Sequence, residues 1–178
     1  DAQESRGLGD VYKRQEYDSA QYTFNAGIQQ NKWQHIALVR TGTTVKWFTD
    51  GVEKDSRSEP ASLANYGHTV YIGSWRTLSR YFQGYISDLR VVNGTAVYTG
   101  NFTPPTSRLT SITNTKLLIG GNNFQHYEPT ATASQKSLYF GTNSNNYLLN
   151  YGDESALEFL NNSWTIEAWI YSTGTMSN

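Results

Sequence analysis

Tyr81–Pro105 reads YFQGYISDLRVVNGTAVYTGNFTPP, and its punctuation decides the fold. An aromatic pair leads into Gly84, and Tyr85–Val92 follows as a β-strand rich in branched residues. Asn93-Gly94 stops the strand, because both residue types tolerate the positive φ of a tight turn. Thr95–Tyr98 has room for one short turn, and Pro104-Pro105 denies any helix a continuation.

The same grammar extends in both directions. Upstream, Trp33–Arg40 (WQHIALVR) is a strand that Thr41-Gly42-Thr43 turns back, and Val45–Thr49 pairs across Asp50-Gly51 with Val52–Asp55. Asp-Gly between two strand-like runs is the strongest short hairpin signal a sequence offers. Tyr17–Phe24 alternates aromatic and polar residues, with Gln21–Asn25 as a strand and Ala26–Asn31 as a turn region. Ser56–Gly67, which carries Pro60, is a surface loop; Val70–Ser74 is a short strand ending at Trp75-Arg76.

Downstream, Lys116–Ile119 is a short apolar strand, and Gly120–Gln135 has the composition of a linker. Ser137–Phe140 and Tyr147–Leu149 form strands, and Glu154–Leu160 has the length of one helical turn. Trp164–Tyr171 is a strand with Trp164, Ile166, Ala168 and Ile170 on one face. Thr165, Glu167, Trp169 and Tyr171 lie on the other.

Composition agrees with strands joined by turns. There are 13 Tyr, 7 Phe and 5 Trp in 178 residues, only 16% of residues are charged, and the polar share is Thr, Asn, Ser and Gly. A net charge of -1 without any basic block gives no footing to a duplex nucleic-acid partner. No apolar run approaches the length of a membrane span. Cysteine is absent, which excludes disulfides but not an extracellular setting, since a large β-sandwich buries enough core without them.

The motif F-x-G-x-I-x-D-L-R-V at Phe82–Val91, followed by N-G-T-A-V-Y-T-x-N-F-x-P-P, resembles the closing segment of laminin-G-like, concanavalin A-like jelly-roll domains. It is most similar to those of phage virion proteins and secreted bacterial repeat proteins. W-x-H-I-A-L-V-R and K-W-F-T-D-G-V resemble the central hairpin of that fold, and S-L-Y-F with W-T-I-E-A-W-I-Y resembles its opening. The resemblance implies an all-β, antiparallel two-sheet jelly-roll sandwich. Residues 16–119 are expected to be the C-terminal portion of one domain, 120–135 a linker, and 136–178 the N-terminal portion of a second. Each piece holds strands that the other lacks, so 136–178 is expected to fold back and complete the sandwich in circularly permuted fashion. Ser5–Gln15 (SRGLGDVYKRQ) resembles an in-frame translation of a sequencing adapter, as found in metagenomic reading frames. Residues 1–15 are therefore set aside as a non-native tail.

Signatures of catalysis are missing: no G-x-S-x-G, no H-E-x-x-H, no phosphate-cradling glycine loop. The jelly-roll glycosidases carry clustered acids resembling E-x-D-x-x-E, whereas Glu167 stands alone on its strand and reads as a structural hydrogen-bonding group. His35, mid-strand, reads as a satisfied core or sheet-face histidine. Asp88 and Arg90, two residues apart, read as an ion pair or a turn brace. Calcium, which many laminin-G-like domains bind, has weak candidates in Asp50, Asp55 and Asp153, without the dense acidic loop such a site needs.

Carbohydrate binding is the sharper expectation, because sugars offer apolar C–H faces and hydroxyl rims that suit an aromatic platform beside polar groups. Trp75, Arg76, Tyr81, Asn65 and Tyr66 lie on loops or loop edges, where such sites are usual. The plainer reading is that Trp75 and Tyr81 cover a sheet edge. The expected function is a non-catalytic recognition or adhesion module of an extracellular or virion protein, its partners a glycan or cell-surface polysaccharide and neighbouring repeats. The alternatives are a structural spacer of a phage tail or fibre, and a fragment of a jelly-roll glycosidase.

Overall fold

The computed structural model describes residues 14–17, 20–59, 72–73, 82–120, 138–140 and 159–174. Nine strands run through them: β1 (Arg14–Tyr17), β2 (Ala20–Thr23), β3 (Trp33–Thr41), β4 (Thr44–Thr49), β5 (Val52–Ser58), β6 (Gly84–Asn93), β7 (Thr115–Ile119), β8 (Leu138–Phe140) and β9 (Trp164–Ser172). No helix occurs among the described residues. β1 and β2 form a two-stranded antiparallel ribbon. β1 takes in Arg14 and Gln15, so the ribbon begins inside the stretch that the sequence set aside.

The remaining strands make one antiparallel sheet in the order β5-β4-β3-β9-β6-β7, with β8 pairing with Gly84–Ile86 of β6. The two hairpins are dictated locally. Gly42 (φ 57) opens the turn between β3 and β4, where Thr41 stands opposite Thr44. Asp50 (φ 50) and Gly51 (φ 76) together give the doubly positive turn whose twist matches flanking strands. β5 runs to Ser58, so Ser56–Ser58 belong to the strand and not to the following loop.

The most consequential placement is that of β9. It lies between β3 and β6, antiparallel to both, from Trp33 opposite Tyr171 to Arg40 opposite Trp164 on one side and from Gly84 opposite Ser172 to Asn93 opposite Trp164 on the other. The late strand thus folds back into the centre of the sheet built by the earlier ones. Gly84 permits it: a Cβ there would stand 1.9 Å from the Tyr171 carbonyl oxygen, at φ 147.

The two faces of the sheet have different characters. One carries the apolar core: Leu38, Val45, Trp47, Leu89, Val91, Leu117, Ile119, Trp164, Ala168 and Ile170, against which Phe24, Ala26, Ile28 and Phe82 pack. Trp164, Ile166, Ala168 and Ile170 all point there, as the alternation requires. Arg40 is buried at the rim of this face and donates to the carbonyls of Gly42, Glu59 and Leu160. The opposite face carries Ala37, Val39 and Phe48, under Ala96, Tyr98 and Phe102. The cover is the NGTAVYTGNF stretch of the deciding motif.

Candidate functional site

The face opposite the core is read most simply as rows running across β3, β9 and β6. Val39, Thr165 and Val92 make one row; Ala37, Glu167 and Arg90 the next; His35, Trp169 and Ser87 a third; Trp33, Tyr171 and Tyr85 the last. Ala96, Val97, Tyr98 and Phe102 lie over the first two rows, and the Tyr98 and Phe102 rings reach His35 in the third. Val97 N–H donates to Thr165 Oγ1 (2.8 Å), Phe102 N–H donates to the Gly51 carbonyl (2.9 Å), and Asn101 Oδ1 accepts from Glu53 N–H (2.8 Å). Tyr98 and Phe102 stack with centroids 3.6 Å apart and hold the cover rigid over Phe48.

Under the cover sits a buried polar cluster. Glu167, fully buried, accepts at Oε1 from Arg90 Nε (2.8 Å) and Nη2 (2.6 Å), and at Oε2 from the Tyr98 hydroxyl (2.7 Å) and His35 Nε2 (3.2 Å). Arg90 spends its remaining arm on the Thr110 carbonyl. Burial alone would raise the Glu167 carboxyl. The hydrogen bonds from His35, Tyr98 and Arg90, with the Arg90 charge, outweigh it and hold the group below the usual carboxylate range. The Tyr98 phenol is driven well above its ordinary value, first by burial and then by the carboxylate it donates to. Around His35, Tyr98, Phe102 and Trp169 present ring edges or faces at 5.4–6.3 Å, and its Nδ1 has no hydrogen-bond partner among the described residues.

Arg90 meets Glu167 and not Asp88. A β-bulge between Ser87 and Arg90, with Asp88 at φ 48, breaks the alternation that two-residue spacing implies. It delivers Arg90 to the covered face and Leu89 and Val91 to the core. Asp88 Oδ2 lies near Ser87 Oγ at 3.5 Å, and Oδ1 is buried without a partner among the described residues.

Beyond the cover's edge the face opens. Trp33 is 41% exposed and Tyr85 36%, with Tyr171 half-buried between them. Ring centroids lie 5.7 Å (Trp33–Tyr171), 6.0 Å (Tyr85–Tyr171) and 6.4 Å (Trp33–Tyr85) apart, with interplanar angles of 47–71°. Trp169 continues the aromatic surface toward His35. Three strands contribute one ring each, so the surface is corrugated.

Of the residues singled out in the sequence, Asn65, Tyr66, Trp75, Arg76, Tyr81 and Asp153 lie outside the described residues. Asp50 and Asp55 are described, and each is engaged by the protein. Asp50 accepts from His35 N–H (3.0 Å), Lys32 Nζ and Gln34 Nε2. Burial opposes its ionisation, but these bonds and the Lys32 charge hold its carboxyl low. Asp55, opposite Trp47 on β5, accepts from Asn25 N–H and Arg57. Among the described residues no three His, Cys, Asp or Glu side chains are grouped to hold a metal ion. The sequence reading missed the row Trp33–Tyr171–Tyr85; its one available signal was Tyr171 on the polar face of β9.

No curated protein and no solved structure matches the chain. Residues 11–96 match a laminin G-type family model described as the concanavalin A-like lectin/glucanases superfamily, a match that runs from β1 through β6. With the antiparallel strand order, the described residues form an all-β fold consistent with the concanavalin A-like jelly roll.

Proposed function

We propose that this chain is a non-catalytic carbohydrate-binding module, and that the row Trp33–Tyr171–Tyr85 is its binding platform. The observation that carries the reading is a row of adjoining, mutually tilted aromatic side chains, Trp33 and Tyr85 exposed on either side of Tyr171, on a sheet face whose neighbouring rows are covered. Exposed rings cost free energy in water, and a pyranose C–H face laid on them recovers it while leaving its hydroxyls solvated. The superfamily match of residues 11–96 supports a saccharide as the ligand class.

A non-catalytic role is supported by the state of Glu167. A glycosidase acid must hold a proton near neutral pH and reach the glycosidic oxygen. The Glu167 carboxyl is held below the usual range, against its burial, by the hydrogen bonds from His35, Tyr98 and Arg90; it is sealed beneath Tyr98, and both its oxygens are taken by those donors. The placement in a larger secreted or virion protein, beside neighbouring repeats, rests on the resemblance of the motifs alone.

The test is affinity electrophoresis of the full chain through gels cast with soluble polysaccharides of different linkage, followed by calorimetry on any that retard it. Saturable retardation that Trp33→Ala abolishes supports the platform. A chain that migrates unretarded through every gel is a spacer. Release of reducing ends overturns the non-catalytic reading.

A further inference from the structure

β9 occupies a cleft whose walls, β3 and β6, both precede it in the chain. Without β9, each wall is an unpaired strand edge, and Arg90 and His35 lose the carboxylate that both contact. β9 supplies everything the cleft needs: hydrogen bonds along both edges, Trp164, Ala168 and Ile170 for the core, and Glu167 for the polar cluster. None of these contacts depends on which molecule delivers the strand.

The connection does not restrict delivery to the same molecule. Residues 120–137 separate the end of β7 from β8, a reach of roughly 60 Å at about 3.3 Å per extended residue. A six-stranded sheet is only about 25 Å across at roughly 4.8 Å per strand. The lead-in to β9 travels with it: Phe159 packs on Trp164, the Leu160 carbonyl accepts from Arg40, and Asn162 donates to Asn93 Oδ1.

We propose that the β3–β6 cleft is a strand-acceptor site and that it also takes Trp164–Ser172 from a second copy of this chain, giving a strand-exchanged dimer. Residues 120–135 are the crossover, and β8 and β9 are the exchanged unit. Exchange reproduces every contact of the monomer, so the balance is set by chain concentration during folding. Tyr171 comes with β9, so each aromatic row in the dimer is built from two chains.

The test uses the full chain, unfolded in urea, refolded at low and at high concentration, and sized by sedimentation. The expected result is a monomer after dilute refolding and a species of twice the mass after concentrated refolding. That dimer persists on simple dilution, because release requires pulling the central strand from the sheet, and it returns to monomer after a second unfolding and dilute refolding. A monomer at every concentration, or a dimer that separates on simple dilution, overturns the proposal. The chain has no cysteine, so a second measurement is clean. Full chains carrying Trp33→Cys and Tyr171→Cys separately are co-refolded and oxidised. Exchange yields a mixed disulfide dimer. If none forms while the double variant closes its bridge within one chain, the proposal fails. Should either single variant not fold, the dilution behaviour of the unmodified chain decides alone.

Discussion

Arg90 and Glu167, 77 residues apart in the chain, meet through two hydrogen bonds of 2.6 and 2.8 Å on neighbouring strands in the interior of the sheet. The pairing joins the motif that decides the fold to the strand that completes it. It depends on the bulge at Ser87–Arg90, since a regular β6 would turn Arg90 into the apolar core. Tyr98 and His35 then close around the same carboxylate, so β3, β6, β9 and the cover share one polar centre.

Removing the carboxylate should cost more than removing the pair. Glu167→Leu leaves Arg90 buried with its charge uncompensated, and urea unfolding should show a loss of about 3–5 kcal/mol. Replacing both residues, as in Arg90→Met with Glu167→Leu, should recover much of it, giving a coupling of about 2 kcal/mol in a double-mutant cycle. Additive losses would mean that the two residues act independently.

The acid and alkaline limbs of stability have separate sources. The Glu167 carboxyl is held below its ordinary 4.5. Its contribution is complete above that value and is lost as pH falls through the folded-state pKa, because the unfolded chain takes up a proton that the folded one refuses. Tyr98 has its pKa raised above an ordinary 10.0, so its contribution is complete below pH 10.0 and declines as pH rises past it. Thermal melts across pH should show a shallower acid limb in Glu167→Gln and a shallower alkaline limb in Tyr98→Phe, each relative to its own neutral value.

What the sequence disclosed was local. Asp50-Gly51 announced its hairpin because the turn geometry is written in two residues, and the faces of β9 followed from period-two alternation alone. What it withheld was partnership across strands. Asp88 looked like the partner of Arg90 because the reading assumed an unbroken strand, and one bulged residue redirected the guanidinium to Glu167. The aromatic row takes one ring from each of three strands, so no window of sequence contains it. Trp75 and Tyr81 drew attention because the sequence reads them on loops or loop edges, where binding sites are usual.

Two glycines should prove irreplaceable for different reasons. Gly84→Ala drives a methyl into the Tyr171 carbonyl and pushes β9 off β6; Gly51→Ala drives one into the Phe102 carbonyl and lifts the cover from the hairpin. Both also force alanine to positive φ, and each should lose about 3 kcal/mol in urea unfolding. Gly42→Ala meets nothing within 4 Å and pays only for its backbone, so about 1 kcal/mol is expected there. Equal losses at all three sites would argue that close approach is not what selects glycine at 51 and 84.

The last prediction separates the aromatic row from the loop aromatics. Trp33→Ala and Tyr85→Ala remove exposed rings, so thermal stability should change little. Affinity for a retarding polysaccharide should fall roughly tenfold or more for each, as expected when a central aromatic anchor is truncated. Trp75→Ala serves as the contrast. If it leaves affinity intact while Trp33→Ala abolishes retardation, the ligand lies on the sheet face beside the cover. If the loss follows Trp75 instead, the platform belongs to the loops and the exposed row has another occupant.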